Sequence, residues 1–204
     1  GLLAMRFQVA GSSKQPTSKK LGVLLKNRLF LLACLCMALY CGAEVGSWGW
    51  LSTYLQDVGF TQFLSGLAVS VFWCGIIVGR GLSSVLASVI PAVKLSRWLS
   101  LAGAVVSLLA FITTTHWVVL LCIGLLGGIL AGIWPSIASV AGTLGQEASD
   151  ATYPFIIAIG GIGSAAIPYL QGVLGQLLGM TAAMVIPAAL LLAIAFLIGN
   201  TTKE

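Results

Sequence analysis

Six long hydrophobic stretches, separated by short polar connections, follow one another along most of the chain. Each stretch is long enough, at about 1.5 Å of rise per helical residue, to cross roughly 30 Å of membrane hydrocarbon. The pattern therefore predicts six transmembrane helices. We place them at 29–56, 61–87, 95–114, 117–142, 151–177 and 180–199.

The chain before the first stretch is polar. Residues 11–20, GSSKQPTSKK, are basic and contain proline, which is typical of a linker. We interpret residues 1–28 as a cytoplasmic linker or the end of a preceding element, residues 29–200 as one six-helix domain and residues 201–204 as a cytoplasmic tail. The first residue is not Met, which favours a fragment of a longer polypeptide.

Composition supports a membrane location. Hydrophobic residues make up 59% of the chain and charged residues 7%, which a soluble domain of this size could not keep from aggregating. We predict a multi-pass integral protein of a plasma or bacterial inner membrane. The net charge of +5 comes from short basic clusters between spans, so we expect no nucleic-acid partner.

The basic residues also predict the orientation. All ten Lys and Arg residues fall on one side of the predicted topology, whereas the opposite connections at 57–60, 115–116 and 178–179 contain none. Because basic residues stay on the cytoplasmic side, both termini are predicted to be cytoplasmic.

The inventory of reactive residues argues against an enzyme. The single histidine, His116, lies in a connection, and Asp57 and Asp150 lie at opposite membrane surfaces. Intramembrane proteases need serine with histidine, several histidines for zinc, or two membrane aspartates. The five cysteines sit within apolar segments without metal-ligand spacing. We therefore expect no catalytic residue, metal or cofactor.

Glu44 is the acidic residue that lies deep within a predicted span. An ionisable side chain there is costly unless it faces water or a partner. It follows Arg28 by about 24 Å of helix, which places it in the outer half of the membrane. No Lys or Arg is predicted at that depth, so we expect any cationic partner to come from outside this chain. Substrate binding, proton carriage and a structural hydrogen bond to a neighbouring helix all remain open as roles.

Aromatic residues accompany Glu44. Tyr40, Glu44 and Trp48 recur at four-residue spacing and share one helix face. An aromatic ring offers a platform for the C–H face of a sugar, while a carboxylate or amide bonds its hydroxyls. We therefore predict that this face lines a cavity for a neutral polyol. Further substrate-binding candidates are Trp73, Trp134 and Gln171.

Two purely structural interpretations of these aromatic residues also remain open. Trp73 and Trp134 could equally pack inside the helix bundle. The outer aromatics also suit a belt at the membrane interface, and this applies to Trp48, Trp50, Tyr54 and Trp117.

Glycines recur every four residues in several spans. This spacing puts small residues on one helix face and predicts close helix packing. The glycines concerned are Gly42 and Gly46, Gly75 and Gly79, and Gly124, Gly128 and Gly132.

Three of these segments resemble major facilitator superfamily transporters. Tyr40–Glu44 with Trp50–Leu55 is similar to the seventh transmembrane helix, especially of fucose permease-like sugar:proton symporters. Phe72–Gly75 with Gly79–Arg80 resembles the next helix and the beginning of a glycine-arginine loop motif. Gly160–Gly172 resembles the eleventh helix.

The resemblance covers about residues 28–200 and implies both fold and function. The implied fold is an all-α membrane protein whose six transmembrane helices form the carboxy-terminal half, an inverted 3+3 repeat, of a major facilitator fold. The implied function is half of a secondary active transporter that moves a sugar or similar small polar metabolite by alternating access, with proton coupling. The implied partners are the lipid bilayer, the small-molecule substrate and an amino-terminal six-helix half or a second copy of this chain.

The resemblance also implies a gating loop beginning at Gly79 and Arg80. The acidic residue typical of the stronger copy of that motif is absent here, and Arg80 could instead snorkel from a helix end. The alternative function is a non-transporting receptor-like or scaffold subunit built on a transporter fold. A six-helix channel is disfavoured because no polar or charged ring repeats along the spans.

Overall fold

The computed structural model describes residue 22 and residues 24–113, 115–144 and 149–199. The predicted linker up to residue 21, the predicted tail and the side chain of Asp150 lie outside the described residues. The described part is helical and contains no strand. Its helices are α1 (Arg28–Gly49), α2 (Leu51–Asp57), α3 (Gln62–Ala87), α4 (Ala92–Ile112), α5 (His116–Leu130), α6 (Ile133–Leu144), α7 (Ser149–Leu178), α8 (Met180–Ala183) and α9 (Ile186–Gly199).

Six helical stretches within the described residues are long and apolar enough to cross a membrane, as predicted. Four of them lie within single helices, whereas the fourth joins α5 to α6 and the sixth joins α8 to α9. The third stretch begins at Ala92, three residues before the predicted boundary. Lys94 therefore lies inside the helix, where its long side chain can still carry the charge out to water.

The helix contacts repeat between the two halves of the domain. The most extensive contacts join α1 to α7 and α3 to α5. Further contacts join α9 to α1 and α4 to α5, while α4 meets α9 and α1 meets α6. If the first, second and third spans are exchanged with the fourth, fifth and sixth, each of these contacts becomes another contact of the set or stays the same. This is the arrangement expected of a 3+3 repeat.

Glycines lie where the helices approach most closely. A Cβ atom placed on Gly79 of α3 would collide with the backbone of Gly128 on α5, and one on Gly163 of α7 would collide with the backbone at Ala38 on α1. These are the equivalent crossings of the repeat. Close packing through small residues is therefore confirmed at both of them.

The packed unit begins before the predicted boundary at residue 29. Leu24 is buried within the hydrophobic core. Asn27 then caps α1, because its Oδ1 accepts hydrogen bonds from the backbone N–H groups of Leu29 and Phe30. The first span thus enters the bundle already anchored at its start.

The outer aromatics divide into packed and exposed groups. The Tyr54 hydroxyl donates to the carbonyl of Phe111 at 2.8 Å, and Trp50 Nε1 donates to the carbonyl of Pro168 at 2.9 Å. The belt interpretation is wrong for Tyr54, which is buried because it satisfies a carbonyl at the end of α4. Trp117 is 76% exposed, as a belt residue would be.

Candidate substrate-binding site

Glu44 is half-buried on α1, one turn after Tyr40. The Tyr40 hydroxyl lies on the same side of α1 as the Glu44 carboxylate, four residues further along the helix. It also donates to the carbonyl of Leu130 at 3.0 Å, at the end of α5. A phenol carries one hydrogen, so an ionised Glu44 and the Leu130 carbonyl compete for it. A protonated Glu44 can instead donate to the tyrosine oxygen, which leaves the bond to Leu130 intact.

Fewer residues of the predicted cavity wall, formed by Tyr40, Glu44 and Trp48, are accessible than the sequence indicated. Tyr40 is fully buried, whereas Glu44 and Trp48 are only partly buried. Tyr40 is directed to α5 because the unpaired carbonyl at that helix end attracts its hydroxyl. Within this chain Tyr40 therefore offers no exposed surface of its own.

Arg80 of α3 is exposed and forms no salt bridge with Glu44 in the described residues. An arginine guanidinium extends well away from its own Cα, so helix rise alone does not fix the depth of its charge. The expectation that any cationic partner of Glu44 would come from outside the chain stays a prediction.

Gly79 and Arg80 lie inside α3, which continues to Ala87, as the predicted span 61–87 has them. A gating role for them stays a prediction. Gly79 faces the backbone of α5, and Arg80 is exposed. The helix persists because nothing after Arg80 breaks it before the turn at residues 88–91, where Pro91 stands.

Two tryptophans from different spans meet beside Glu44. The rings of Trp48 on α1 and Trp73 on α3 have centroids 5.6 Å apart at an interplanar angle of 56°. Phe72 packs edge-on against Trp73, with centroids 6.1 Å apart. Trp73 remains 42% exposed. The structure thus unites Glu44, Trp48 and Trp73 in one region, where a carboxylate adjoins an aromatic surface.

Trp134 lies elsewhere. It is half-buried near the start of α6 and lines a separate cavity of about 440 Å³ together with Tyr153 of α7. Tyr153 was not a predicted candidate, because its position near the beginning of a span gave no signal of a partner on another helix.

Gln171 lies inside the helix packing. It has no exposed surface, its Nε2 lies 3.2 Å from the sulfur of Met184, and its Oε1 presses against Gly46. In this structure Gln171 is therefore a packing residue with no surface open to a ligand.

One relation between these residues was detectable in the sequence. Trp73 and Arg80 are seven residues apart, which is close to two helical turns and places both on one face of α3.

In the described residues, no group of histidine, cysteine and acidic side chains could hold a metal ion.

Comparison with known proteins bears on this arrangement. No protein-family model matches the chain. It is 30% identical over 193 residues to the glucose/galactose transporter of Brucella abortus, in an alignment that covers 90% of this chain and 45% of the relative. It is 29% identical over 170 residues to bypass of stop codon protein 6 of Saccharomyces cerevisiae, covering 77% and 34%.

Solved structures give the fold. A major facilitator superfamily transporter, FucP, in the outward conformation superposes with a TM-score of 0.80 at 20% identity, covering 95% of this chain and 47% of FucP. This chain has the fold of a major facilitator half. A variant of the E. coli fucose:proton symporter FucP gives the same TM-score at 19% identity, covering 96% and 48%. The resemblance predicted from Tyr40–Glu44 and the glycine-rich spans is confirmed.

The major facilitator half spans less than half the length of the curated relatives it matches. Its most extensive contacts, α1 with α7 and α3 with α5, leave Glu44, Trp48 and Trp73 only partly covered within the chain. The candidate site is therefore a surface of this half and not an enclosed pocket.

Proposed function

We propose that the chain is the carboxy-terminal half of a secondary active transporter, which moves a sugar or similar small polar metabolite by alternating access in symport with protons. The observation that carries the proposal is the region that unites Glu44 with the Trp48–Trp73 pair. It is supported by the similarity to a glucose/galactose transporter and by the fold shared with a fucose:proton symporter.

The aromatic pair fits a neutral sugar. Two tilted indole rings offer apolar surfaces to the C–H groups of a pyranose, and the Glu44 carboxylate one turn away can accept its hydroxyl hydrogens. The Glu44 carboxylate would fix the orientation of the sugar, and the two indole rings would supply most of the contact area.

Proton coupling follows from the groups around Glu44. A carboxyl group such as Glu44 is costly to keep charged within a membrane span, which suits it to take up and release a proton as its access to water alternates. Its protonation also decides whether the Tyr40 hydroxyl remains with Leu130 at the junction of α5 and α6. Proton loading at Glu44 is thereby linked to the fourth span.

A second six-helix half completes the proposed transporter. Without it, the Glu44 region would face lipid, where a carboxylate is costly. We propose an amino-terminal half of the same polypeptide, or a second copy of this chain, as the facing partner. Both termini of the present chain would lie in the cytoplasm of a cell with this protein in its plasma or inner membrane.

The test uses the full-length protein in proteoliposomes and measures uptake of radiolabelled glucose, galactose and fucose. Trp48→Ala and Trp73→Ala should each raise the KM for the transported sugar about tenfold, which corresponds to loss of roughly 1.4 kcal/mol of binding. Trp117→Ala, at an exposed tryptophan outside the region, should leave uptake unchanged.

Two results would refute the proposal. Sugar binding without uptake would favour the receptor-like or scaffold alternative. Equal effects of all three tryptophan substitutions would remove the Trp48–Trp73 pair from the binding site.

A further inference from the structure

A second cavity, of about 350 Å³, lies where α3 ends and α4 begins. It is lined by residues of the last two turns of α3, the following turn, the start of α4 and the proline-containing first part of α6. Under the predicted topology this is the cytoplasmic end of the domain. Trp48, Trp73 and Glu44 do not line it, although Arg80, which does, lies on the same face of α3 as Trp73.

Arg80 gives this cavity its charge. The side chain is exposed, lines the cavity and forms no salt bridge with a carboxylate in the described part of the chain. Lys94, three residues into α4, is exposed close to the same end of the domain. A planar guanidinium with free donors in a hollow is well suited to bind an oxyanion through two parallel hydrogen bonds.

Serine oxygens surround the arginine. Ser83, Ser84 and Ser136 line the cavity, and each donates its hydroxyl hydrogen to a backbone carbonyl three or four residues earlier, at 3.2, 2.7 and 2.7 Å. Each oxygen keeps lone pairs that can accept hydrogen bonds from a ligand. Ser139 of α6 lines the same cavity and is exposed.

We propose that this cavity binds a polyol phosphate, with the phosphate on Arg80 and the polyol hydroxyls donating to the serine oxygens. Inorganic phosphate would satisfy the arginine but leave the serine acceptors unused. A neutral sugar would use the serine acceptors but leave the Arg80 guanidinium without an anionic partner. The volume lies within the range of small-molecule sites.

Binding of glucose 6-phosphate, inorganic phosphate and glucose to the purified full-length protein in detergent tests the assignment. Isothermal titration calorimetry should rank glucose 6-phosphate tightest. Arg80→Gln should weaken its binding roughly tenfold or more, and Arg80→Lys should keep part of it. Lys94→Gln is the matched control, because it removes a nearby cationic charge that does not line the cavity, and it should change affinity little.

The serines are tested separately. The double substitution Ser84→Ala with Ser139→Ala should reduce the preference for glucose 6-phosphate over inorganic phosphate while leaving phosphate binding intact. Both residues are exposed, so this variant should fold even where Arg80→Gln does not.

Several results would overturn the proposal. Equal affinity for inorganic phosphate and glucose 6-phosphate would indicate an adventitious ion only. Competition by glucose at equal strength would assign the cavity to the transported sugar. Loss of binding after reconstitution with anionic phospholipid, but not with neutral phospholipid, would assign Arg80 to a lipid headgroup. Absence of binding to all three probes would leave no ligand site.

Discussion

The close crossing of α3 and α5 gives the sharpest test of the packing. A Cβ atom on Gly79 would lie 2.6 Å from the Cα and 2.7 Å from the carbonyl carbon of Gly128, whereas a Cβ atom on Gly81, in the same helix, would meet nothing within 4 Å. Gly79→Ala and Gly81→Ala are therefore the same chemical change at a packed and an open position.

The magnitude follows from the separation that the helices must gain. Ordinary contact begins at 3.4 Å, and the Gly128 carbonyl oxygen lies closer to the added Cβ than either carbon does, so α3 and α5 must part by more than 0.8 Å to accept the methyl group at residue 79. A gap of that size removes roughly a quarter to a half of the dispersion energy of the atoms concerned, and overpacking costs about 1–3 kcal/mol. Both substitutions gain roughly 1 kcal/mol of helix propensity. We therefore expect Gly79→Ala to be about 2 kcal/mol less stable than Gly81→Ala.

Thermal unfolding of the two purified full-length variants measures this difference. A difference of about 2 kcal/mol in the free energy of unfolding corresponds to roughly 4–8 °C in Tm, and Gly81→Ala should have a Tm at or above the wild-type value. Equal Tm values for the two variants would contradict the crossing geometry, because the methyl group at residue 79 would then have met no backbone.

Two further substitutions test single contacts. Tyr40→Phe leaves the buried carbonyl of Leu130 unpaired and should cost about 1–3 kcal/mol, seen as a lower Tm than wild type; an unchanged Tm would show that the hydrogen bond is absent. Gln171→Met replaces a buried amide, whose Oε1 has no hydrogen-bond partner in the described structure, by an apolar chain of similar shape; it should leave the Tm unchanged or raise it, and a fall of several degrees would show that Oε1 is paired.

The length of the hydrophobic stretches was sufficient to predict the six spans, because membrane hydrocarbon forces each backbone to satisfy its own hydrogen bonds in a helix. It could not reveal that the fourth span divides after Leu130. Leu130, at that break, is the residue whose carbonyl accepts the hydrogen bond from Tyr40.

The candidate site was only partly predictable. Spacing along one helix places Glu44 and Trp48 on one face of α1, but the contact of Trp48 with Trp73 depends on how α1 and α3 are placed relative to each other. Side-chain direction is also invisible to residue spacing. Gln171 was a candidate by residue type, yet its side chain points into the packing between helices.

Sugar-driven proton movement tests the central claim most directly. Full-length protein is reconstituted in proteoliposomes, and the external pH is recorded when glucose, galactose or fucose is added without an imposed gradient. We predict alkalinisation of the medium with the transported sugar, which Glu44→Gln abolishes while sugar counterflow continues. Asp57→Asn, at the end of α2, is the control and should leave the pH response intact. Alkalinisation that persists in Glu44→Gln would contradict the assignment of Glu44 as the proton carrier.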